Sequence, residues 1–287
     1  MIDWPSSLIN EIVKGRCVFF IGSGVSANSK DANSDSPPTW GTFLSMASAL
    51  VSDKNKKVQI EKLIEEKKFL VALQAINDNC DQADYYSFLN NSFNKNYQPS
   101  ELHHYIYKLD ARIVITTNFD KIYQSLCYSY PGSGPAFKVI DYTSYDLADE
   151  IRSDTRLIIN AHGSINNISN MIFTKSEYHK AKRNHPYFYE VLKAIFLTNT
   201  ILFIGCGLED PDIMLLLEDV KIYGNSNKHH YALTLKGDKN EFLINDWIKT
   251  YNIRTLEYEP NHGALVTEIK NLLELVDEER AALVTTI

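Results

Sequence analysis

The chain has 287 residues, with 29 Lys and Arg against 36 Asp and Glu and a formal charge of −7. That length supports one large α/β domain or two small ones and excludes a small disulfide-stapled module. The acidic balance argues against a chain that wraps nucleic acid by charge alone, so nucleic acid is expected only indirectly.

The first residues, Met1-Ile-Asp-Trp-Pro5, carry an acid and no basic leader. No later apolar run approaches the roughly 18 residues needed to cross a bilayer, and a cytoplasmic protein without membrane contact is expected. Cys17, Cys80, Cys127 and Cys206 lie far apart with no C-x-x-C pair. Reduced thiols and no structural zinc follow from that spacing.

Six short β-branched runs punctuate the chain: Cys17 to Ile21, Arg112 to Thr116, Arg156 to Asn160, Ile201 to Ile204, Tyr231 to Leu235 and Ile253 to Glu257. Continuous apolar runs of this length, alternating with helix-length segments, predict strands buried on both faces of a mostly parallel sheet. The expected fold is α/β and Rossmann-like, with about six strands and helices on both faces. The Ser/Asn/Asp/Pro-rich stretch Ala27 to Thr39 has no periodicity and reads as a long loop, with little burial to hold it. From Trp40 to about Lys108, Phe43, Met46, Ala47 and Leu50, then Leu70, Leu73 and Ile76, recur at helical spacing. One domain over residues 1–287 with a helical insertion at about 40–108 is expected. A last amphipathic helix is predicted over Ala264 to Val276, followed by a short tail from Glu278 that frays or docks on a partner.

Four strand ends carry chemistry-bearing residues. Gly22-Ser-Gly24-Val-Ser-Ala27 fits G-x-G-x-x-G/A directly after a strand, where backbone can approach a pyrophosphate. A plain tight turn explains the same residues equally well, and the second strand with a terminal acid that a dehydrogenase needs does not follow. Thr116-Thr-Asn118-Phe-Asp120 places an amide and a carboxylate at the carboxyl edge of the sheet, with helix capping as the commoner role. Asn160-Ala-His162-Gly-Ser164 brings an imidazole to that edge, able to take a proton near neutral pH. Gly205-Cys-Gly207 repeats the glycine device, with Cys206 as small packing and Asp210 before Pro211 as a helix cap. His103-His104 in a helical segment and His229-His230 at a strand start lack metal-ligand spacing and read as structural or exposed. No G-x-x-x-x-G-K-[ST], H-E-x-x-H or G-x-S-x-G occurs.

Taken in order, Gly22-Ser-Gly24-Val-Ser26, Thr117-Asn-Phe-Asp120, His162-Gly163 and Gly205-Cys-Gly207 resemble the sirtuin family, whose members bind NAD with comparable elements. The resemblance covers about residues 10 to 275 and is nearest the bacterial antiviral-defence branch that cleaves NAD. It implies that Gly22, Ser23, Gly24, Ser26, Thr117, Gly163, Gly205 and Gly207 bind the cofactor. Asn118 and Asp120 would face the nicotinamide ribose, and His162 would be the general base. The sequence lacks the zinc-binding cysteine pairs of deacylase sirtuins, and Thr117 replaces their Gln. Breaking the nicotinamide–ribose bond passes through an oxocarbenium-like centre that needs polar groups and a proton acceptor. The resemblance therefore implies an NAD glycohydrolase releasing nicotinamide and ADP-ribose, with no structural zinc, as an antiphage effector controlled by assembly. A protein deacylase and an NAD-sensing subunit of an ATPase complex are the alternatives. A homo-oligomer and a HerA-type ATPase partner are implied by the family alone.

Overall fold

The computed structural model describes residues 1–130, 137–208, 211–220 and 228–285. Seven strands form one sheet: β1 (Cys17–Ile21), β2 (Ile113–Thr116), β3 (Phe137–Asp141), β4 (Arg156–Asn160), β5 (Thr200–Ile204), β6 (His230–Leu235) and β7 (Ile253–Tyr258). Their order is β3-β4-β2-β1-β5-β6-β7, and every pairing is parallel. All six predicted runs are strands. The seventh, β3, was not expected: only Ile140 of its five residues is fully buried. An edge strand carrying Lys138 and Asp141 does not read as a continuous apolar run.

Alternation along the central strands sends successive side chains to opposite faces. Phe20, Ile115, Ile159 and Phe203 pack with helix Pro186–Thr198 on one face. Phe19, Val114, Ile158 and Leu202 pack with helices Ser6–Val13, Glu101–Lys108 and His262–Thr285 on the other. Each such side chain, fully withdrawn from water, contributes about 1.5–3 kcal/mol before entropy is counted.

Helices Trp40–Ala47, Lys54–Glu65, Phe69–Asn77 and Gln82–Phe93 build a third core. Phe43, Leu44, Leu73, Ile76 and Leu89 form its centre, and Phe119 and Phe173 join it from the sheet's carboxyl edge. Helix Glu101–Lys108, by contrast, lies in the sheet's own helical layer, with Leu102 and Ile106 beside Ile269 and Leu272. The expected tail is not a tail. Helix His262–Thr285 runs through it, held where the Arg280 guanidinium donates to the Leu109 carbonyl at 2.8 Å.

The Ala27 to Thr39 stretch is also tied down more than its composition suggests. Asp31 Oδ1 accepts the backbone N–H groups of Asn33 and Asp35, both at 2.9 Å. Lys30 forms an isolated antiparallel bridge with Gln98, and Lys95 pairs with Asp35 at 3.3 Å and Asp31 at 3.6 Å. Among the described residues, no helix is long and apolar enough to cross a membrane.

Candidate functional site

The chain leaves β1 toward β2 on one side and returns to pair β5 on the other, which makes the carboxyl ends of β1 and β5 a topological switch point where open α/β sheets bind ligands. Two glycine turns meet there. A Cβ on Gly24 would stand 2.8 Å from the Gly205 carbonyl oxygen, and Gly205 itself has φ +63° with its added Cβ 2.5 Å from the Val25 nitrogen. The Gly24 N–H donates to the Gly205 carbonyl at 2.9 Å. Packing of the two turns thus requires these glycines whatever is bound above them. Asp210, expected to cap the following helix, lies outside the described residues.

Beside the switch point, three side chains make a relay. Asn118 Nδ2 donates to the Gly22 carbonyl and to Ser26 Oγ, both at 2.9 Å, and Ser26 Oγ donates in turn to Asp120 Oδ2 at 2.7 Å. Both amide hydrogens of Asn118 are used, which leaves its Oδ1 to accept from a ligand. Asp120 Oδ1 accepts the Ile122 N–H at 3.0 Å, so the capping role weighed for Asp120 is real and coexists with the relay. Burial pushes the Asp120 carboxyl above its ordinary range, and the Ser26 and Ile122 hydrogen bonds partly offset it. Beneath them, Thr116 Oγ1 donates to the Ile21 carbonyl at 2.9 Å, stitching β2 to β1.

The relay forms the floor of a cleft of about 650 Å³, part of it open to solvent. Gly22, Ser23, Ser26, Thr117, Asn118 and Asp120 line it, whereas Gly24, His162, Gly163, Gly205 and Gly207 are outside its lining. The opposite wall is aromatic, with Trp40, Phe43, Phe93, Phe119 and Phe173, and Pro37 and Pro38 close one side. The Phe119 and Phe173 rings lie 4.1 Å apart and the Phe43 and Phe173 rings stack at 5.6 Å. Sequence reasoning missed this wall because its rings come from four separate segments. The one available signal was Thr174-x-x-Glu177, a capping box that fixes the chain just after Phe173.

His162 follows β4 and is 1% exposed. Its carbonyl accepts the Ile172 N–H at 2.9 Å, one residue from Phe173 in the cleft wall. The ring meets Tyr178 edge-on at 6.3 Å, and burial pushes its pKa down to about 4. Gly163 has φ +76°, and a Cβ there would stand 2.6 Å from the Asn170 carbonyl oxygen. Two other buried histidines accept backbone N–H groups. His103 Nδ1 accepts the Ser100 N–H in a capping box, and His230 Nδ1 accepts the Ile201 N–H at 3.0 Å. Cys206 is buried, with Sγ 3.4 Å from the Phe20 carbonyl, as small packing. Among the described residues, no group of three His, Cys, Asp or Glu is placed to hold a metal ion.

Comparison with known proteins gives the family. The SIR2-like domain matches residues 112–256, just over half of the chain, a span running from β2 into β7. A relative named NAD(+) hydrolase ThsA from Cytobacillus dafuensis is 26% identical over 242 residues, covering 82% of this chain and 45% of that protein. Defense-associated sirtuin 2 of Bacillus subtilis is 26% identical over 270 residues, covering 91% of this chain and 24% of its own length. The NAD(+) hydrolase ThsA of Enterococcus faecium is 28% identical over 158 residues, 54% of this chain and 32% of that one. The chain therefore spans less than half the length of these relatives. With the glycine turns, the Asn118–Asp120 strand end and the matched span on one sheet edge, this chain belongs to the SIR2-like family.

Proposed function

We propose that the cleft binds NAD as substrate and hydrolyses it to nicotinamide and ADP-ribose, in the service of antiphage defence. The observation that carries the reading is the Asn118–Ser26–Asp120 relay on the floor of an otherwise aromatic cleft. Loss of nicotinamide leaves positive charge on the ribose, and a carboxylate in a partly desolvated site is worth more to such a centre than one in water. Asp120 supplies that charge. Asn118 Oδ1 is the acceptor that holds a ribose hydroxyl or the attacking water, its amide hydrogens being already used. The aromatic wall offers flat surfaces to a pyridinium ring. The names of the relatives support the same chemistry.

In this reading the C–N bond breaks with its electron pair going to nicotinamide, water oxygen bonds to the ribose carbon, and the water's proton goes to His162. Burial pushes its pKa down to about 4, which keeps His162 neutral at pH 7 and also makes the buried ring a weak base, so taking that proton requires the ring to be solvated when substrate enters. Because the ring is outside the cleft lining, this role requires the segment at Phe173 to shift when substrate enters. Gly22 and Ser23 take the phosphate side.

Incubation of the purified chain with NAD, with nicotinamide and ADP-ribose separated by chromatography, tests the reading. Stoichiometric appearance of both supports it. Acetyl-lysine peptide in a parallel reaction tests the deacylase, and NAD binding without turnover at every protein concentration and with an ATPase partner present supports a sensing subunit instead. Control by assembly is part of the proposal, read from the dependence of specific activity on protein concentration.

A further inference from the structure

The relay has a second side. A small cavity on the sheet face under helices Glu101–Lys108 and Ile122–Ser129 shares Ser26, Asn118 and Asp120 with the cleft. Its remaining wall mixes the polar side chains of His103, Thr116, Tyr123, Gln124 and Asn160 with Ile21 and Ile158. His103 is 1% exposed. Its Nδ1 lies 2.8 Å from Ser100 Oγ and accepts the Ser100 N–H at 3.3 Å, so the neutral ring carries its proton on Nε2. Asn160 is also buried, and its Nδ2 donates to Asp141 Oδ1 at 2.8 Å. A buried cavity with several polar side chains converging on it is the setting in which proteins hold ordered water.

We propose that this cavity hydrates the relay from behind, with His103 and Gln124 as positioning residues that keep Asp120 ionised once substrate has filled and dried the cleft. This inference rests on the reading of Asp120 as the charge facing the ribose. The need for it is electrostatic. No Lys or Arg among the described residues pairs with Asp120, whose donors are the Ser26 hydroxyl and the Ile122 N–H. The titratable groups around it are His103 from helix Glu101–Lys108, Tyr123 from its own helix and Tyr97 from the insertion side. None is a cation at neutral pH, since burial holds the His103 ring down to about 3 and pushes both phenols up. In the open state cleft water shares the work of solvating the carboxylate. An aromatic-walled cleft closed over a ligand removes that share, and an uncompensated carboxylate then takes up a proton.

The test is a titration that does not need turnover. Aspartate labelled with ¹³C at the carboxyl is followed by NMR against pH with the cleft filled by saturating ADP-ribose, and the Asp120 signal is assigned by its loss in Asp120→Asn. Gln124→Leu, on a half-buried position that leaves the His103 cap untouched, and His103→Phe are compared with the unaltered chain. Both variants should move the Asp120 midpoint to higher pH. In the hydrolysis assay, their rates at about pH 5 should fall about tenfold more than at about pH 8, because a shift of one pH step is a factor of ten in the ionised fraction. An unchanged Asp120 midpoint in folded Gln124→Leu overturns the inference whether or not NAD is cleaved. Absence of NAD cleavage by the unaltered chain, with the midpoint shifted as expected, overturns the proposed function and leaves the hydration role standing.

Discussion

Ser26 Oγ donates to Asp120 Oδ2 across 2.7 Å, and that bond ties the turn after β1 to the turn after β2, residues 94 positions apart in the chain. Asn118 feeds the same hydroxyl from the other side. The geometry makes the two turns one object with Ser26 at its centre, while Asn118 is also anchored on the Gly22 carbonyl and Asp120 on the Ile122 N–H.

Asn118→Ala should therefore reduce NAD hydrolysis by about 10²–10³-fold, the range for losing one oriented hydrogen-bonding group in an active site. Because Gly22 and Ser26 also lose a donor, stability should fall by about 1–3 kcal/mol. Ser26→Ala should show a milder version of both effects. Hydrolysis rates beside thermal melts check this, and a variant that melts early but keeps full turnover would leave Asn118 only its role in the turn.

His162→Ala should lower turnover by at least about 10²-fold while NAD affinity changes by less than about threefold, as expected for a proton acceptor that makes no ground-state contact. Replacing a wholly buried ring leaves a void, so a stability loss of about 2–4 kcal/mol should accompany it. Calorimetric NAD binding and steady-state rates on the folded fraction separate the two. Undiminished turnover would remove His162 from the reaction.

The glycine turns make a prediction that is independent of function. Gly205→Ala should destabilise strongly, by about 2 kcal/mol or more, because an added Cβ meets backbone at 2.5 Å and the residue sits at φ +63°. Gly237→Ala is the control. It has φ +74° with nothing within 4 Å of the added Cβ, and only the backbone strain of about 1 kcal/mol remains. Chemical denaturation of the two variants should give that order, and equal losses would show that the packing of the two turns is looser than described.

How much of this was legible beforehand follows from what each element depends on. Runs such as Val18 to Ile21 and Ile201 to Ile204 announce buried strands because both faces are covered. β3 was hidden because its partners on one edge are water and the Lys138 ion pair with Glu150 at 2.8 Å. The relay residues were found individually, since a strand end is a local feature. Their hydrogen bonds, the aromatic wall and the polar cavity were not, because each joins segments whose separation in sequence carries no periodic signal. The outcome for His162 has the same origin: its position after β4 was readable, its depth was not.

Three histidines are buried in neutral form, which gives stability a pH dependence. His103 is held down to about 3, and His162 and His230 to about 4, each by burial. In the unfolded chain they titrate near 6.5. Their folded values lie below their unfolded ones, so the stability they allow is complete above about pH 6.5 and is lost as pH falls toward the folded values, where the unfolded state binds more protons. Melting temperature should drop progressively between about pH 6.5 and pH 4 and stay level from pH 7 to 8. Scanning calorimetry in matched ionic strength reads this directly. A level melting temperature down to about pH 4.5 would mean that water reaches these rings.

The segment from Phe93 to Gln98 touches both the cleft and the loop that flanks it. Phe93 belongs to the aromatic wall, Lys95 pairs with Asp31 and Asp35, and Gln98 donates its N–H to the Lys30 carbonyl at 2.8 Å. Asp31 is the fixed point of the clamp: desolvation pushes its carboxyl up, but the backbone N–H groups of Asp35 and Asn33 together with Lys95 outweigh it and hold the group below the ordinary range. Half-exposed ion pairs are individually worth about 0–1 kcal/mol, so deleting the Lys95 charge should change little, whereas reversing it puts a carboxylate against two others. Lys95→Glu should therefore loosen the loop that carries Pro37 and Pro38 into the cleft wall. The KM for NAD should rise about three- to tenfold, with kcat within about twofold, the pattern of a lost binding interaction. Limited proteolysis should show faster cleavage within residues 27–39, and Asp35→Lys in the same chain should slow it again by restoring an opposite pair. Cleavage as slow in Lys95→Glu as in the unaltered chain would show that the Lys30–Gln98 bridge holds the loop by itself.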